Sequence, residues 1–505
     1  MDLLQSPWIP VRDHHGTGDF RLLTYRELLC EPGAWRLSLP RDDLELAALQ
    51  LLVCLTQALF TPEDDEALFE QLDQPLDPAA FERAIAEVLD WFQLDHPTQP
   101  FMQTRGVSAK EVTPIQKLLI GLPEGNNHAF FNAPGEVRAL SAPIAAIALF
   151  HQASNCPSFG GGFQGSLRGG APITVLVDAA DLRLQVWSNV LTRSRLQRLL
   201  PGWQPDHARD RPTWVEPIAA QSTIQWNQIG VVRGLLWQPA HVELVPTEPG
   251  PCDLLGIDAG PRYLGFRKEK FKFTVDGLWP HPHGAIETRA KAGKLEQRFT
   301  SFTTTAPAWT RLGELAIARQ SAKGEGARPP LTVTQFGALE EDAPLRLLVG
   351  GYRNKQASVL ERRHELITLG VGWNAVDTRL HQLVELGLRA KGALQNALRF
   401  AAQGKQKKGS HHKELPGLGN PALPSIAEQR FYSRTEPMIL DTLADPATFT
   451  DWRNARLRYI DRLARDCRPL FAQLTDPYAH NPALIPIIAW SRRILERDLK
   501  HLREE

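Results

Sequence analysis

The chain has no excess of either charge. Lys and Arg together number 57, Asp and Glu number 57, and the pI is about 7.3. That balance excludes a protein that grips nucleic acid over its whole surface, so any such contact must come from local patches. Cysteine is scarce: Cys30, Cys54, Cys156, Cys252 and Cys467 are scattered, odd in number, and never stand as a CxxC pair. A disulfide framework and a zinc knuckle are both disfavoured, and a reducing compartment fits best. No run approaches the roughly 18 consecutive apolar residues of a spanning helix. The opening MDLLQSPWIPVRD lacks the basic start and apolar core of a signal peptide. The expectation is a cytoplasmic protein with no membrane partner.

Catalytic signatures are missing as well. His281 and His283 in WPHPHG, and His411 and His412, lack partners at ligand spacing. His364-Glu365 opens like HExxH, but Thr368 stands where the second histidine belongs. Ser166 follows Gly165 directly, which breaks the GxSxG elbow. No catalytic constellation emerges, and no metal or cofactor is expected. An enzyme of an unfamiliar kind remains the contrasting class, to be tested by turnover of nucleotide or nuclease activity in the isolated chain.

What the sequence does contain falls into two textures. At 505 residues the chain has room for roughly two to four domains. Residues 41–60 read as a buried helix, with Asp42 and Asp43 placed to cap its start. From about 130 to 370, short strand-like runs such as ITVLVDA, GVVRGLLW, HVELV and FKFTV are separated by Gly, Pro and Asn. After 372 the pattern turns helical, with amphipathic stretches at 375–402, 425–443, 448–474 and 482–503. The expected fold is α+β: a mixed α/β N-terminal domain over 1–371, then a four-helix bundle over 372–505. The joint 404–421, GKQKKGSHHKELPGLGNP, is basic and Gly-rich and reads as a mobile loop too polar to pack.

Three stretches invite a functional reading. PSFGGGFQGSLRGG at 157–170 holds six glycines in fourteen residues. Gly160, Gly162 and Gly165 fit GxGxxG, but HQASNCPSF precedes them and the strand-like APITVLV follows, whereas a dinucleotide loop follows a strand and opens a helix. Either this is a flexible surface turn, or bare backbone must lie against something flat. FRKEKFKF at 266–273 puts Lys268, Lys270 and Lys272 on one strand face, which suits a basic binding edge or an edge strand guarded by lysines. GGYRNKQASVLERRHE at 350–365 reads as a glycine turn presenting Arg353, Lys355 and Gln356 ahead of a helix carrying Arg362 and Arg363.

Taken together these stretches resemble CasA, the large subunit of the type I-E CRISPR surveillance complex called Cascade. The resemblance rests on WIPV at 8–11, WRLSLPRDDLELAALQLLVC at 35–54, HPTQPFMQT at 96–104, FGGGF at 159–163 and LRGG at 167–170. It continues through VRGLLWQPAH at 232–241, KEKFKFTVDGLWPHPH at 268–283, FTTTAPAWT at 302–310 and GGYRNKQASVLERRH at 350–364. It implies a non-enzymatic subunit working with a guide crRNA, with the other subunits CasB, CasC, CasD and CasE, and with target double-stranded DNA. Such a subunit reads the short PAM, begins duplex opening into an R-loop, and helps recruit the helicase-nuclease.

Residue by residue, the resemblance makes Gly160, Gly161 and Gly162 the loop that meets the PAM duplex from the minor groove. Lys270 becomes the lysine finger, with Lys268, Arg353 and Lys355 as supporting cations. Gln356, with Ala357 and Ser358, becomes the wedge that starts strand separation. In NNHAFFNAPG at 126–135, Phe130 and, more weakly, Asn132 would meet the guide RNA handle. Lys355 stands where relatives can carry asparagine. Leu140, Ala142 and Pro143 offer no thiol to join Cys252, so no structural zinc is expected. The rival reading within the same setting is a pure assembly scaffold.

Overall fold

The computed structural model describes residues 1–13, 18–122, 135–258, 260–355, 358–404 and 414–504. Its chain divides into two compact units. The first comprises Met1–Thr303, Arg319–Leu339 and Leu347–Leu366, and the second Thr304–Ala318, Glu340–Arg346 and Ile367–Glu505. Among the described residues no helix is long and apolar enough to cross a membrane.

The first unit is built around helix α1, Asp42–Leu59, which is buried along nearly its whole length. An amphipathic stripe would bury one face; LELAALQLLVCL is apolar all round, so the helix sits inside. Asp42 and Asp43 lie inside its first turn, where negative charge is favoured, and not at its cap: Arg41 holds that position and no side chain caps the helix. Helix α2, Ala142–Ser154, packs beside it and is equally buried. Directly after α2 comes the glycine-rich segment, and then strand β1, Thr174–Val177. Strands β2, His241–Thr247, and β3, Arg262–Glu269, pair antiparallel with a bulge at Val245/Pro246. Short pieces at Thr113–Pro114 and Leu140–Ser141 also pair with β3. Strands β4, Leu345–Lys355, and β5, Ser358–Leu369, form a sheet with β1 in the order β5-β4-β1.

In the second unit, α3 (Asp377–Gln403), α4 (Leu423–Ala444), α5 (Trp452–Thr475) and α6 (Ile485–Glu504) form a helical bundle in which α3 packs against the other three. The mixed class and the helical C-terminal region agree with the reading of the sequence. All five cysteines are free and buried.

Several local expectations are corrected. GVVRGLLW forms a helical turn, Val231–Leu235, because the Asp210 carboxylate accepts the amides of Val232 and Arg233 at 2.9 Å each. The segment after Lys355 is strand β5, not a helix: Arg363, Ile367 and Leu369 point inward at strand spacing. Lys268, Lys270 and Lys272 do not share a strand face, since β3 ends at Glu269; the strand within FKFTV shrinks to Thr274–Asp276. Of the 404–421 joint, 405–413 lie outside the described residues, and 414–421 is mostly exposed or half-buried but tied to the end of α3 at one point. Leu418 is buried, and the amides of Leu418 and Gly419 donate to the carbonyls of Ala401 and Ala402.

Candidate nucleic-acid interface

The glycine segment hangs between the C-terminus of α2 and β1. Gly160, Gly161 and Gly162 take φ values of +80°, +56° and +88°, three successive left-handed residues. Only glycine enters that region freely, so the backbone conformation itself selects the triplet. A β-carbon at Gly161 would meet nothing within 4 Å, while one at Gly162 would approach Lys270 Nζ at 3.7 Å. The crest of the turn therefore faces open space on one side and a lysine on the other.

Aromatic rings fix the turn's flanks. Phe159 packs against Phe163 and Phe266 with ring centroids 5.5 and 5.6 Å apart, and the Phe163 amide closes the turn onto the Gly160 carbonyl at 3.0 Å. The Lys268 ammonium lies 5.1 Å from the centre of the Phe159 ring and 5.9 Å from that of Phe266, a cation–π arrangement. Lys270, exposed just past the end of β3, donates from Nζ to the Gly161 carbonyl at 2.9 Å. Beyond it, Phe271 stacks on His241 at 4.4 Å and Phe273 packs edge-on against Trp237 at 5.6 Å, holding the lysine's chain in place.

The base of the segment is closed by Arg168, which is 4% exposed. Its guanidinium donates to the Ser154 carbonyl at 3.1 Å, to Asn155 Oδ1 at 2.5 Å and to Thr174 Oγ1 at 3.0 Å. One side chain thus ties the last residue of α2 to the first of β1. Burial pulls its pKa down to about 9.

The β4–β5 hairpin carries the other predicted cations. Arg353 Nε donates to Glu361 Oε2 at 2.8 Å, and Glu361 also accepts from Arg363 at 3.0 and 3.1 Å. Burial alone would raise the Glu361 carboxyl, but the two arginines hold it below its ordinary value. Arg353 is therefore engaged within its own hairpin. Lys355 and Ser358 are exposed at the facing ends of β4 and β5. Gln356 and Ala357 lie outside the described residues, as do Phe130 and Asn132.

Of the predicted set, then, Gly160–Gly162, Lys268 and Lys270 come together, while Arg353, Lys355 and Ser358 share the hairpin. The sequence reading missed the anchoring by Phe159 and Phe163 and the closure by Arg168. The F-x-x-x-F spacing around the glycines was the available signal for the first. For the second there was none beyond a lone arginine among glycines. Among the described residues, no three His, Cys, Asp or Glu side chains gather as a metal-holding group.

These features define a class: a mixed sheet-and-helix protein that displays a glycine turn beside a lysine, followed by a helical bundle. The chain belongs to the family of CRISPR-associated protein Cse1, whose model matches residues 2–467. The crystal structure of Cse1 from Acidimicrobium ferrooxidans is similar at a TM-score of 0.75 and 18% identity, covering 100% of this chain and 98% of that one. Thermobifida fusca Cse1 is similar at 0.72 and 20% identity, covering 99% and 98%. A chain of a CRISPR RNA-guided surveillance complex matches at 0.63 and 15% identity, covering 98% and 99%.

Proposed function

We propose that this protein is the large, non-catalytic subunit of a type I-E Cascade complex. In this reading it works with a guide crRNA and the CasB, CasC, CasD and CasE subunits. It recognises the PAM of double-stranded DNA through the minor groove, begins duplex opening, and helps recruit the helicase-nuclease. Membership of the Cse1 family supports the setting. The observation that carries the reading is the Lys270 ammonium held on the Gly161 carbonyl, at the crest of a left-handed glycine turn.

A minor groove about 6 Å wide admits bare backbone where a side chain would collide. An ammonium has three donors, and Lys270 gives one to Gly161. The carbonyl aims the remaining donors outward, where they meet acceptors that A·T and T·A pairs share, so several PAM variants are tolerated. Lys268, committed to the Phe159 and Phe266 rings, supports the turn and does not read bases. Lys355 supplies phosphate contact, which positions without specifying sequence. Gln356, with Ala357 and Ser358, then enters beneath the PAM, and guide pairing offsets the few kcal/mol of unstacking per step. Phe130, with Asn132, docks on the RNA handle.

The test is target-duplex binding by the reconstituted complex on matched and scrambled PAMs. Lys270→Ala is expected to weaken matched binding by about 1–3 kcal/mol and blur PAM choice; Gly161→Arg is expected to abolish discrimination. If complexes shown to contain either variant discriminate as the parent does, the glycine turn is no reader and the subunit is an assembly scaffold.

A further inference from the structure

A buried chain of hydrogen bonds runs from the base of the glycine segment to the β4–β5 hairpin, and its donors all point the same way. Arg168 donates to Asn155 Oδ1 at 2.5 Å. The amide nitrogen of Asn155 lies 3.3 Å from His151 Nδ1 and donates to it. His151 Nε2 lies 2.6 Å from the Tyr352 hydroxyl, which in turn donates to Asp43 Oδ2 at 2.7 Å. Because the tyrosine proton goes to Asp43, the histidine must give its Nε2 proton to the hydroxyl and accept from Asn155 at Nδ1. A guanidinium thus stands at one end and a carboxylate at the other, an arrangement in which each bond polarises the next.

Asp43 gathers the far end. Arg41 grips it in a bidentate pair at 3.0 and 2.6 Å and also donates to the Ile120 carbonyl at 2.8 Å. From β5, Arg362 reaches Asp42 at 2.9 Å and Asp43 at 3.7 Å. Tyr352 sits on β4 and is 1% exposed, so its hydroxyl joins the glycine side of the chain to the hairpin side.

We infer that Tyr352 is a positioning residue that couples the glycine turn to the β4–β5 hairpin, so that seating a PAM on the turn sets the hairpin for strand opening. The inference rests on the functional reading above. A reader and an opener displayed on separate loops need a fixed spacing to act in sequence. Apolar contact is non-directional; a polar chain with fixed donors and acceptors adds a single register. Tyr352→Phe removes the hydroxyl and keeps the ring, so it severs the chain at its centre with little change in volume.

The experiment uses the full reconstituted complex and two duplexes carrying a matched PAM. One has its strands cross-linked, so that it can be captured but not opened; the other carries 2-aminopurine at the first target base to report opening. In the Tyr352→Phe complex, capture is expected to stay within about twofold of the parent while opening slows about tenfold. Arg362→Gln, which loosens only the partly exposed tie to α1, is expected to slow opening to a smaller degree. In a double-mutant cycle on opening, Lys270→Ala and Tyr352→Phe are expected to cost less together than the product of their separate effects. A merely structural role would make them multiply. Unchanged opening, equal losses in capture and opening, or strictly independent effects each overturn the inference while leaving the PAM reading intact. A parent complex that captures matched and scrambled PAMs alike overturns that reading, and this inference with it.

Discussion

The two units bury different chemistry. Among the described residues, the polar side chains buried in the helical unit are Thr435, Thr442, Thr448, Thr475 and Ser491. Three of these hydroxyls turn back onto their own helix: Thr435 to the Phe431 carbonyl, Thr442 to Met438 and Thr475 to Phe471, at 2.8, 2.8 and 2.9 Å. Besides hydroxyls and amides, the first unit buries the ionisable side chains Asp43, His151, Arg168, Asp178, Asp210, His281, His283, Glu287 and Arg363. A helix can satisfy a hydroxyl with its own carbonyl, whereas a buried ionisable side chain needs a polar partner placed beside it. The bundle is thus specified by apolar stripes, and the loop-bearing unit by particular polar pairs that admit one geometry.

That contrast can be broken most forcefully at Asp43. Asp43→Ala leaves the Arg41 guanidinium without its carboxylate and is expected to destabilise the first unit by about 3–5 kcal/mol, read from urea unfolding. In the bundle, Leu463 is fully buried, and Leu463→Ala is expected to cost about 3 kcal/mol by opening a cavity. A similar loss there, with no polar group involved, marks packing as the source of the bundle's stability.

Acid should separate the units next. Burial, opposed by the Asp43 charge, pulls the His151 pKa from 6.5 to about 4, and burial pulls His283 to about 3. The unfolded chain takes up these protons below about pH 6.5, while the folded form does not until about pH 4 at His151 and about pH 3 at His283. Their contribution is therefore complete above pH 6.5 and is lost as pH falls through that window. Between pH 7 and pH 5, His151 accounts for roughly 2 kcal/mol of lost stability. His151→Gln should flatten the fall measured by chemical unfolding at the two pH values. Asp43 adds a second step at lower pH. Burial alone would raise its carboxyl, but the Arg41 hydrogen bond and nearby charges hold it at about 2, against 3.8. Its contribution is present above pH 3.8 and lost as pH falls toward 2. The smallest effect is expected at Thr435→Val, within about 1 kcal/mol, because the lost bond is local. A cost near that of Asp43→Ala would erase the contrast.

The same difference explains what could be read in advance. The bundle helices were legible because their stripes repeat at helical spacing over twenty or more residues. The glycine segment was legible as an anomaly, but its partner was not. Lys270 lies 109 residues from Gly161, and nothing in either stretch names the other, so only the family resemblance joined them. Val231–Leu235 was misread because the carboxylate that caps it sits 22 residues upstream. Strand β5 was misread because its inward-facing Arg363, which lies over the Phe302 ring at 4.7 Å, gives the run LERRHE a solvated look. Where the core is polar, periodicity of apolar residues no longer reports which side faces in.

The burial of all five cysteines has a practical consequence. Thiol reagents attack the thiolate, and burial raises Cys30 to about 11 and Cys467 to about 12, with Cys54 and Cys156 also pushed up. With every thiol buried as well, the native chain offers such reagents little access. Lys355→Cys or Ser358→Cys, each at an exposed hairpin position, would be the one rapidly labelled site, without prior removal of any natural cysteine. A dye placed there would follow the hairpin end against labelled DNA in otherwise unaltered protein.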